Sequence, residues 1–259
     1  MNELESGENL KSIKEHLIEI RKRITIIFGF FIFILIISYF LTPGTLNYLK
    51  SSAADYNISL NVFKITESVT IYLQTMLFLS ICLTLPFLFG QIYFFIKPAL
   101  NKQTQKISLI LIPIISVLFF VGSSIGLFIF VPLLLTFFLE ATVVLGMNTV
   151  YSFSDFYSFV FTICLIFGLF LEIPAITSFL TFIGILTPEK LKSIRRFVYI
   201  FLTFVAVIST PPDFISGLIV LGVLISLYEL SIFIAYIIFH RFRKKQTMNT
   251  VQKGGDLSV

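Results

Sequence analysis

The chain has 259 residues with a formal net charge of +5, and 57% of them are hydrophobic whereas only 13% are charged. A soluble domain carries about 25% charged residues, so this chain has too few charges to cover a surface in contact with water. The composition therefore excludes a soluble globular domain and indicates a protein whose main solvent is lipid. Its two cysteines, Cys82 and Cys164, lie in apolar runs and form neither a disulfide framework nor a metal-binding spacing.

The chain begins with a polar, acidic segment, Met1 to Lys11, which lacks the basic and then apolar order of a signal peptide. We therefore expect membrane insertion to start from an internal span. The following residues, 15–23, predict a short amphipathic helix on the cytoplasmic surface, in which Glu15 and Glu19 share one face. Glu19 is placed either to pair with Arg23 four residues later or to bind basic peptides through charge-assisted bonds to arginine.

Apolar runs separated by charged or turn-forming breaks organise the rest of the chain. The six runs cover residues 24–41, 69–96, 107–139, 156–186, 197–209 and 214–239. Proline-containing breaks follow runs one, two and four at residues 42–44, 97–98 and 187–189. A spanning helix needs about 20 apolar residues, so the third run is either one long helix or two short ones. The fifth run rises only about 20 Å as a helix, which is less than the hydrocarbon core of roughly 30 Å.

The basic residues decide between these alternatives, because Lys and Arg near span ends stay on the cytoplasmic side. All of the 19 except Lys50 and Lys64 lie before run one, between runs two and three, between runs four and five, or after run six. Six crossings put these four clusters on one side, whereas splitting run three or omitting run five does not. The sequence thus predicts an all-α membrane protein with six transmembrane helices and both termini in the cytoplasm.

This prediction divides the chain into a cytoplasmic N-terminal segment (1–23), a six-helix transmembrane domain (24–240) and a cytoplasmic basic tail (241–259). Helices five and six are expected to be short and to thin the membrane locally. Their connection contains Pro211, Pro212 and Asp213, and the two prolines stiffen it. Since the basic clusters sit at membrane ends, we expect contact with lipid headgroups and no binding of nucleic acid.

Polar side chains inside the apolar runs are informative, because an acidic group at the bilayer centre costs at least about 2.5 kcal/mol. Glu172 and Glu229 are such groups, and each is expected either to face a partner or substrate or to form a hydrogen bond within the chain. Gln74 and Gln91 predict hydrogen bonds between helices. Gly122 and Gly126 have a GxxxG spacing, which favours close helix packing inside the chain over oligomerisation.

Six motifs in order resemble the TatC family, the multispanning subunit of the twin-arginine protein translocase. They are HLIEIRKR at 16–23, FIKPAL at 95–100, FGLFLEIP at 167–174, residues 184–196, TPPD at 210–213 and LYE at 227–229. The resemblance is collinear over about residues 12–240. Each motif alone is weak, but their common order and the topology inferred from charge agree.

The resemblance implies a glove-shaped six-helix bundle that receives folded cargo carrying an Arg-Arg signal peptide, with no enzymatic activity and no cofactor or metal. It also implies assembly with TatA- and TatB-type single-span partners, self-association in a receptor complex, and transport driven by the proton-motive force. By position, Glu19 would bind the signal arginines, with Arg21, Phe95 and Pro98 in the same site. Glu172 would meet a polar group on a partner helix, and Glu229 and Gln74 are grouped with it as intramembrane polar positions.

Two positions depart from the family pattern. A second signal-binding Glu usually follows the Pro-Ala-Leu segment, but this chain has Thr104 there, and it has Gln74 where the family often has Lys. We hypothesise that Glu15, one turn before Glu19, supplies the missing carboxylate.

The competing interpretation is a polytopic secondary transporter or channel, which internal repeats and broken midplane helices would mark. No repeat is evident, and an intramembrane enzyme would need paired catalytic groups that the runs lack. The expected location is the bacterial inner membrane, with an organellar membrane, thylakoid or mitochondrial, as the alternative.

Overall fold

The computed structural model describes the backbone of residues 2–56, 58–100, 102–144, 146, 150–210 and 214–255, and side chains only between residues 17 and 240. Within these described residues, nine α-helices and two short strands follow in chain order. They are α1 (Asn2–Asp55), β1 (Ser59–Asn61), α2 (Glu67–Ile96), α3 (Lys102–Ile125), α4 (Val131–Val144), β2 (Val150–Ser152), α5 (Phe153–Leu171), α6 (Ile173–Phe182), α7 (Pro188–Ser193), α8 (Arg195–Ser209) and α9 (Phe214–Gly255). A 3₁₀ turn, Lys97–Ala99, follows α2, and a π-helical turn, Gly126–Phe130, joins α3 to α4.

Five helical stretches of the described residues are long and apolar enough to cross a membrane. They are Leu17–Ala54, Glu67–Ile96, Leu109–Val144, Phe153–Phe182 and Phe214–His240. The third run therefore forms one helical stretch and not two short spans, as the charge pattern predicted. The fifth run forms α8, whose 15 residues rise about 22 Å. The all-α membrane fold is thus confirmed, whereas the count of six crossings and their orientation remain predictions.

Several predicted boundaries are wrong. The helix of residues 15–23 does not end before run one, since α1 continues unbroken from Asn2 to Asp55. Run four stops being helical at Phe182 and is interrupted at Glu172. Helix six is not short, because no proline or glycine interrupts the sequence between Gly222 and Gly254, and α9 continues to Gly255.

The chain divides into two compact units, of which the first comprises residues 1–116 and 149–158. In this unit α1 packs along α2, with the rings of Phe30 and Phe87 stacked at a centroid distance of 4.0 Å. Strands β1 and β2 pair in parallel, with Ser59 opposite Val150.

Buried Glu67, at the start of α2, holds these connections together. Its carboxylate accepts hydrogen bonds from the N–H groups of Phe63 (2.8 Å), Lys64 (3.2 Å) and Ser154 (2.9 Å), and from the Ser152 hydroxyl. One side chain thereby ties the loop before α2 to the end of β2 and the first turn of α5.

The predicted end of α1 at residues 42–44 is also wrong, and the contact that keeps the helix intact lies in the same unit. Pro43 has no N–H to donate to the Tyr39 carbonyl one turn earlier, which would leave that carbonyl without a partner in lipid. The Tyr72 hydroxyl of α2 donates to it at 2.8 Å. This side-chain donor compensates for the proline, and the helix continues to Asp55.

The second unit comprises residues 117–148 and 159–259. Here α6 and α8 pack on α9. The two glycines of the GxxxG spacing face α5. A Cβ on Gly122 would lie 2.9 Å from the Gly168 Cα, and one on Gly126 would lie 3.1 Å from the Cys164 Cα. The predicted close packing inside the chain is therefore confirmed.

Candidate functional site

The centre of the candidate site is the carboxylate of Glu19, in the part of α1 that precedes the apolar run. Arg23, one turn later, donates to Glu19 Oε1 from Nε at 3.1 Å and from Nη2 at 2.6 Å. The Glu19 side chain is 35% exposed and that of Arg23 is 21% exposed. No side chain that the structure describes is hydrogen-bonded to Glu19 Oε2. The predicted pairing of Glu19 with Arg23 is confirmed, and it uses only one of the two carboxylate oxygens.

Arg23 also connects this carboxylate to the C-terminal turn of α2. Its Nη2 donates to the Phe94 carbonyl at 2.9 Å, and its Nη1 lies 3.5 Å from the Gln91 carbonyl and 3.4 Å from Gln91 Oε1. Its guanidinium carbon lies 5.9 Å from the centroid of the Phe95 ring, within the range of a cation–π contact. The structure thus brings Glu19 and Phe95 together, and it gives Gln91 the interhelical bond that the sequence predicted.

The 3₁₀ turn after α2 forms the edge of the site. Pro98 is exposed in this turn. Gln105 of α3 holds the turn in place, because its amide donates to the carbonyls of Lys97 at 3.1 Å and Leu100 at 2.9 Å. The Tyr93 hydroxyl in turn donates to the Gln105 carbonyl at 3.1 Å.

The other predicted members of this site contribute less. Arg21 is exposed, and only its carbonyl has a described contact, which is a hydrogen bond from Thr25 at 2.9 Å. Thr104 is half-buried and brings no carboxylate to the site. The side chain of Glu15 lies outside the described residues, as do Pro211, Pro212 and Asp213.

Glu172 is the buried acidic group of the second unit. It is 2% exposed, and within the described residues its Oε1 has no hydrogen-bond partner. It occupies the break between α5 and α6, where its N–H bonds to the Leu169 carbonyl at 3.3 Å. Pro174 causes this break, because it cannot donate to the Phe170 carbonyl one turn earlier. An uncompensated carboxyl oxygen in the apolar interior is costly, which marks Glu172 as a functional candidate.

Glu229, in contrast, has partners within the chain. It forms an ion pair with Arg195 at 2.7 Å and accepts a hydrogen bond from the Tyr199 hydroxyl. The neighbouring Tyr228 donates to the Leu191 carbonyl at 2.8 Å. These contacts attach the start of α8 and the preceding α7 to α9. The structure therefore favours the intrachain alternative for Glu229.

Gln74 is also satisfied inside the chain, since the Ser158 hydroxyl of α5 donates to its Oε1 at 3.3 Å. This is the interhelical hydrogen bond predicted for it. The two cysteines are buried, as their apolar surroundings suggested.

The similarity of the chain to known proteins supports the assignment suggested by its motifs. The sequence profile of the family described as Sec-independent protein translocase protein (TatC) matches residues 15–222. The chain belongs to the TatC family. A TatC protein of Halalkalibacterium halodurans is 32% identical over 93% of this chain and 96% of its own length. The TatCy protein of Bacillus subtilis is 31% identical over 91% of this chain and 93% of its own length.

A solved structure shows that the fold is shared as well. The crystal structure of a protein described as the twin arginine translocase receptor TatC matches with a TM-score of 0.78 and 27% identity. The match covers 86% of this chain and 99% of that structure. This TatC-family chain is therefore a multi-pass membrane protein of a Sec-independent protein translocase. Its relatives are bacterial and are named as translocase proteins, not as enzymes.

Sequence reasoning missed three contributors to the site. Arg23 was considered only as a partner of Glu19, although it also binds the end of α2. Neither Tyr93 nor Gln105 was predicted to act in the site, yet they position the turn that carries Pro98. Their polarity next to a proline-containing break is the signal that could have identified them, because such a break leaves backbone carbonyls that need donors.

Proposed function

We propose that this TatC-family chain is the receptor subunit of a twin-arginine translocase in the bacterial plasma membrane. In this role it binds the paired arginines of signal peptides at its cytoplasmic face and exports folded cargo using the proton-motive force. It assembles with TatA- and TatB-type single-span proteins and with further copies of itself. Family membership supports this role, and so does the description of the solved relative as a receptor.

The observation that carries the proposal is the state of the Glu19 carboxylate. It already binds a guanidinium, that of Arg23, through Oε1, and its side chain remains 35% exposed. Charge-assisted hydrogen bonds between carboxylates and arginine are strong and geometrically selective. Oε2 offers a second acceptor for a guanidinium from outside, and the Phe95 ring next to Arg23 adds an aromatic surface that favours cations.

Glu172 is the proposed contact for a partner helix within the membrane. Its unpaired Oε1 would accept a hydrogen bond from a polar side chain of a single-span protein, which would remove the cost of the unsatisfied group. Because Glu172 is only 2% exposed, its neighbours must move before a partner can reach it.

Signal-peptide crosslinking in inverted membrane vesicles tests the receptor role. We expect Glu19→Gln to reduce crosslinking to an Arg-Arg signal by about tenfold, the effect of losing one charge-assisted hydrogen bond. Glu140→Gln is the matched control, since Glu140 is an exposed carboxylate outside the site. A Lys-Lys signal should crosslink poorly to the unmodified chain. If Glu19→Gln inserts normally and crosslinks like the unmodified chain, the proposed role of Glu19 is wrong.

A further inference from the structure

The guanidinium of Arg23 uses its full hydrogen-bonding capacity within the first unit. Arginine has five N–H donors. Nε and Nη2 each direct one N–H to Glu19 Oε1, at 3.1 Å and 2.6 Å. The second N–H of Nη2 bonds to the Phe94 carbonyl at 2.9 Å, and the two of Nη1 point to the carbonyl and the side-chain oxygen of Gln91 at 3.5 Å and 3.4 Å. Four acceptors in two helices thus hold this side chain in one position.

Pro98 explains why the Phe94 carbonyl is available to Arg23. A helix that continued past Ile96 would satisfy this carbonyl with the N–H of residue 98, but Pro98 has none. The N–H of Lys97 is already bonded to the Tyr93 carbonyl, and that of Leu100 to the Lys97 carbonyl. The Phe94 carbonyl therefore accepts the bond from Arg23. The negative end of the α2 dipole at this position also favours a cation.

We propose that Arg23 is a positioning residue for the signal-binding carboxylate, and that Pro98 acts on Glu19 through the Phe94 carbonyl and Arg23. This inference rests on the proposed function. Arg23 holds Glu19 Oε1, so that Oε2 is presented to the incoming signal peptide. The signal arginine binds to Oε2 and does not displace Arg23. If Arg23 were displaced, Gln91 and Phe94 as well as Glu19 would lose their hydrogen-bond donor. Glu19 then bridges two guanidiniums, one from the chain and one from the peptide.

A double-mutant cycle separates this role from a general structural one. The binding of a fluorescently labelled Arg-Arg signal peptide is measured with the purified full chain in detergent. Arg23→Gln should raise Kd by about tenfold, as expected for losing the orientation of one charge-assisted bond. In the Glu19→Gln background the same change should alter Kd less than about twofold, because it acts only through Glu19. The Kd of Arg23→Lys, whose side chain has three donors instead of five, should lie between that of Arg23→Gln and that of the unmodified chain.

A second cycle keeps Glu19 in place and combines changes at Pro98 and Arg23. Pro98→Ala restores an N–H that competes with Arg23 for the Phe94 carbonyl and should raise Kd. That effect should disappear in the Arg23→Gln background. Thermal unfolding in the same detergent confirms that each variant is folded.

The possible outcomes distinguish the two proposals. If Glu19→Gln binds the peptide as the unmodified chain does, the proposed function itself fails. If Glu19→Gln loses binding but Arg23→Gln binds normally or more tightly, Arg23 does not position Glu19 and the inference is overturned. An equal loss from Arg23→Gln in both backgrounds would also overturn it, since that pattern indicates a structural effect independent of Glu19.

Discussion

At the residue scale, two prolines determine how α1 and α2 contact each other. Pro43 leaves the Tyr39 carbonyl of α1 without its helical donor, and Tyr72 of α2 supplies one at 2.8 Å. Pro98 leaves the Phe94 carbonyl of α2 without its donor, and Arg23 of α1 supplies one at 2.9 Å. A helix carbonyl without a donor is unfavourable wherever water does not reach it, so each proline creates a local preference for one donor on the facing helix.

Removing the Tyr72 hydroxyl tests this account. We expect Tyr72→Phe to lower the free energy of unfolding by about 0.5–1.5 kcal/mol, the range for one hydrogen bond of this kind. Thermal or denaturant unfolding in detergent measures the change. Tyr48→Phe is the control, because Tyr48 is exposed on the same helix as Pro43. Equal stability of the two variants would show that the Tyr39 carbonyl does not depend on Tyr72.

The missing carboxylate at Thr104 leads to a second prediction at this scale. If Glu15 supplies the lost charge, Glu15→Gln should reduce export of an Arg-Arg cargo, but by less than Glu19→Gln does. The physical reason is that two arginines need two acceptor carboxylates for full affinity. Export is measured in a strain that lacks its own TatC subunit and carries one variant at a time. Unchanged export with Glu15→Gln, together with failure of Glu19→Gln, would remove Glu15 from the site.

At the scale of helices, the main feature is the close packing of backbones at glycines. Gly122, Gly126 and Gly168 let two helical stretches of the second unit approach so closely that added Cβ atoms would collide. A Cβ on Gly168, for example, would lie 2.6 Å from the Phe119 ring. Small residues at helix contacts are the usual means of association in lipid, where no hydrophobic force drives helices together.

We therefore expect Gly122→Ala to destabilise the folded chain by about 1–3 kcal/mol through overpacking. Gly222→Ala, in α9 of the same unit, is a matched control, since a Cβ there meets nothing within 4 Å. That control should be neutral or slightly stabilising, because alanine favours helix more than glycine does. Unfolding in detergent compares the two. A control variant as unstable as Gly122→Ala would contradict the packing argument.

At the scale of the whole molecule, function depends on which side of the membrane each connection between helices faces. Glu19 can receive signal peptides from the cytoplasm only if α1 begins there. The C-terminal end of α9 lies on the same side only if α8 crosses the membrane. With 15 residues, α8 reaches about 22 Å, so its crossing requires a locally thinned bilayer or the displacement of flanking groups toward the interface.

Fusions to alkaline phosphatase, which needs disulfides and is active only outside the cytoplasm, settle this orientation. We expect fusions after Ser193 and after Thr247 to be inactive, and a fusion after Gly146 to be active. The Thr247 fusion is the decisive one. Activity there, with inactivity at Ser193, would mean that α8 does not cross, and the six-span topology would be wrong.

The sequence alone determined the fold class, the family and the identity of Glu19 and Glu172 as candidates. These follow from local properties, because hydropathy, charge and motif order are read along the chain and lipid solvation acts on each segment separately. It also predicted the interhelical bonds of Gln74 and Gln91, whose polarity required partners.

Only the tertiary structure decided where the helices end and how the site is held. The Tyr72 hydroxyl that lets α1 pass Pro43 lies 33 residues from the carbonyl it binds, and the Phe94 carbonyl that accepts from Arg23 lies 71 residues from it. Glu229 pairs with Arg195, which lies 34 residues earlier in the chain. This candidate intramembrane group therefore connects α8 to α9. A proline signals from sequence that a carbonyl will lack its donor, but which side chain replaces that donor depends on which helices meet.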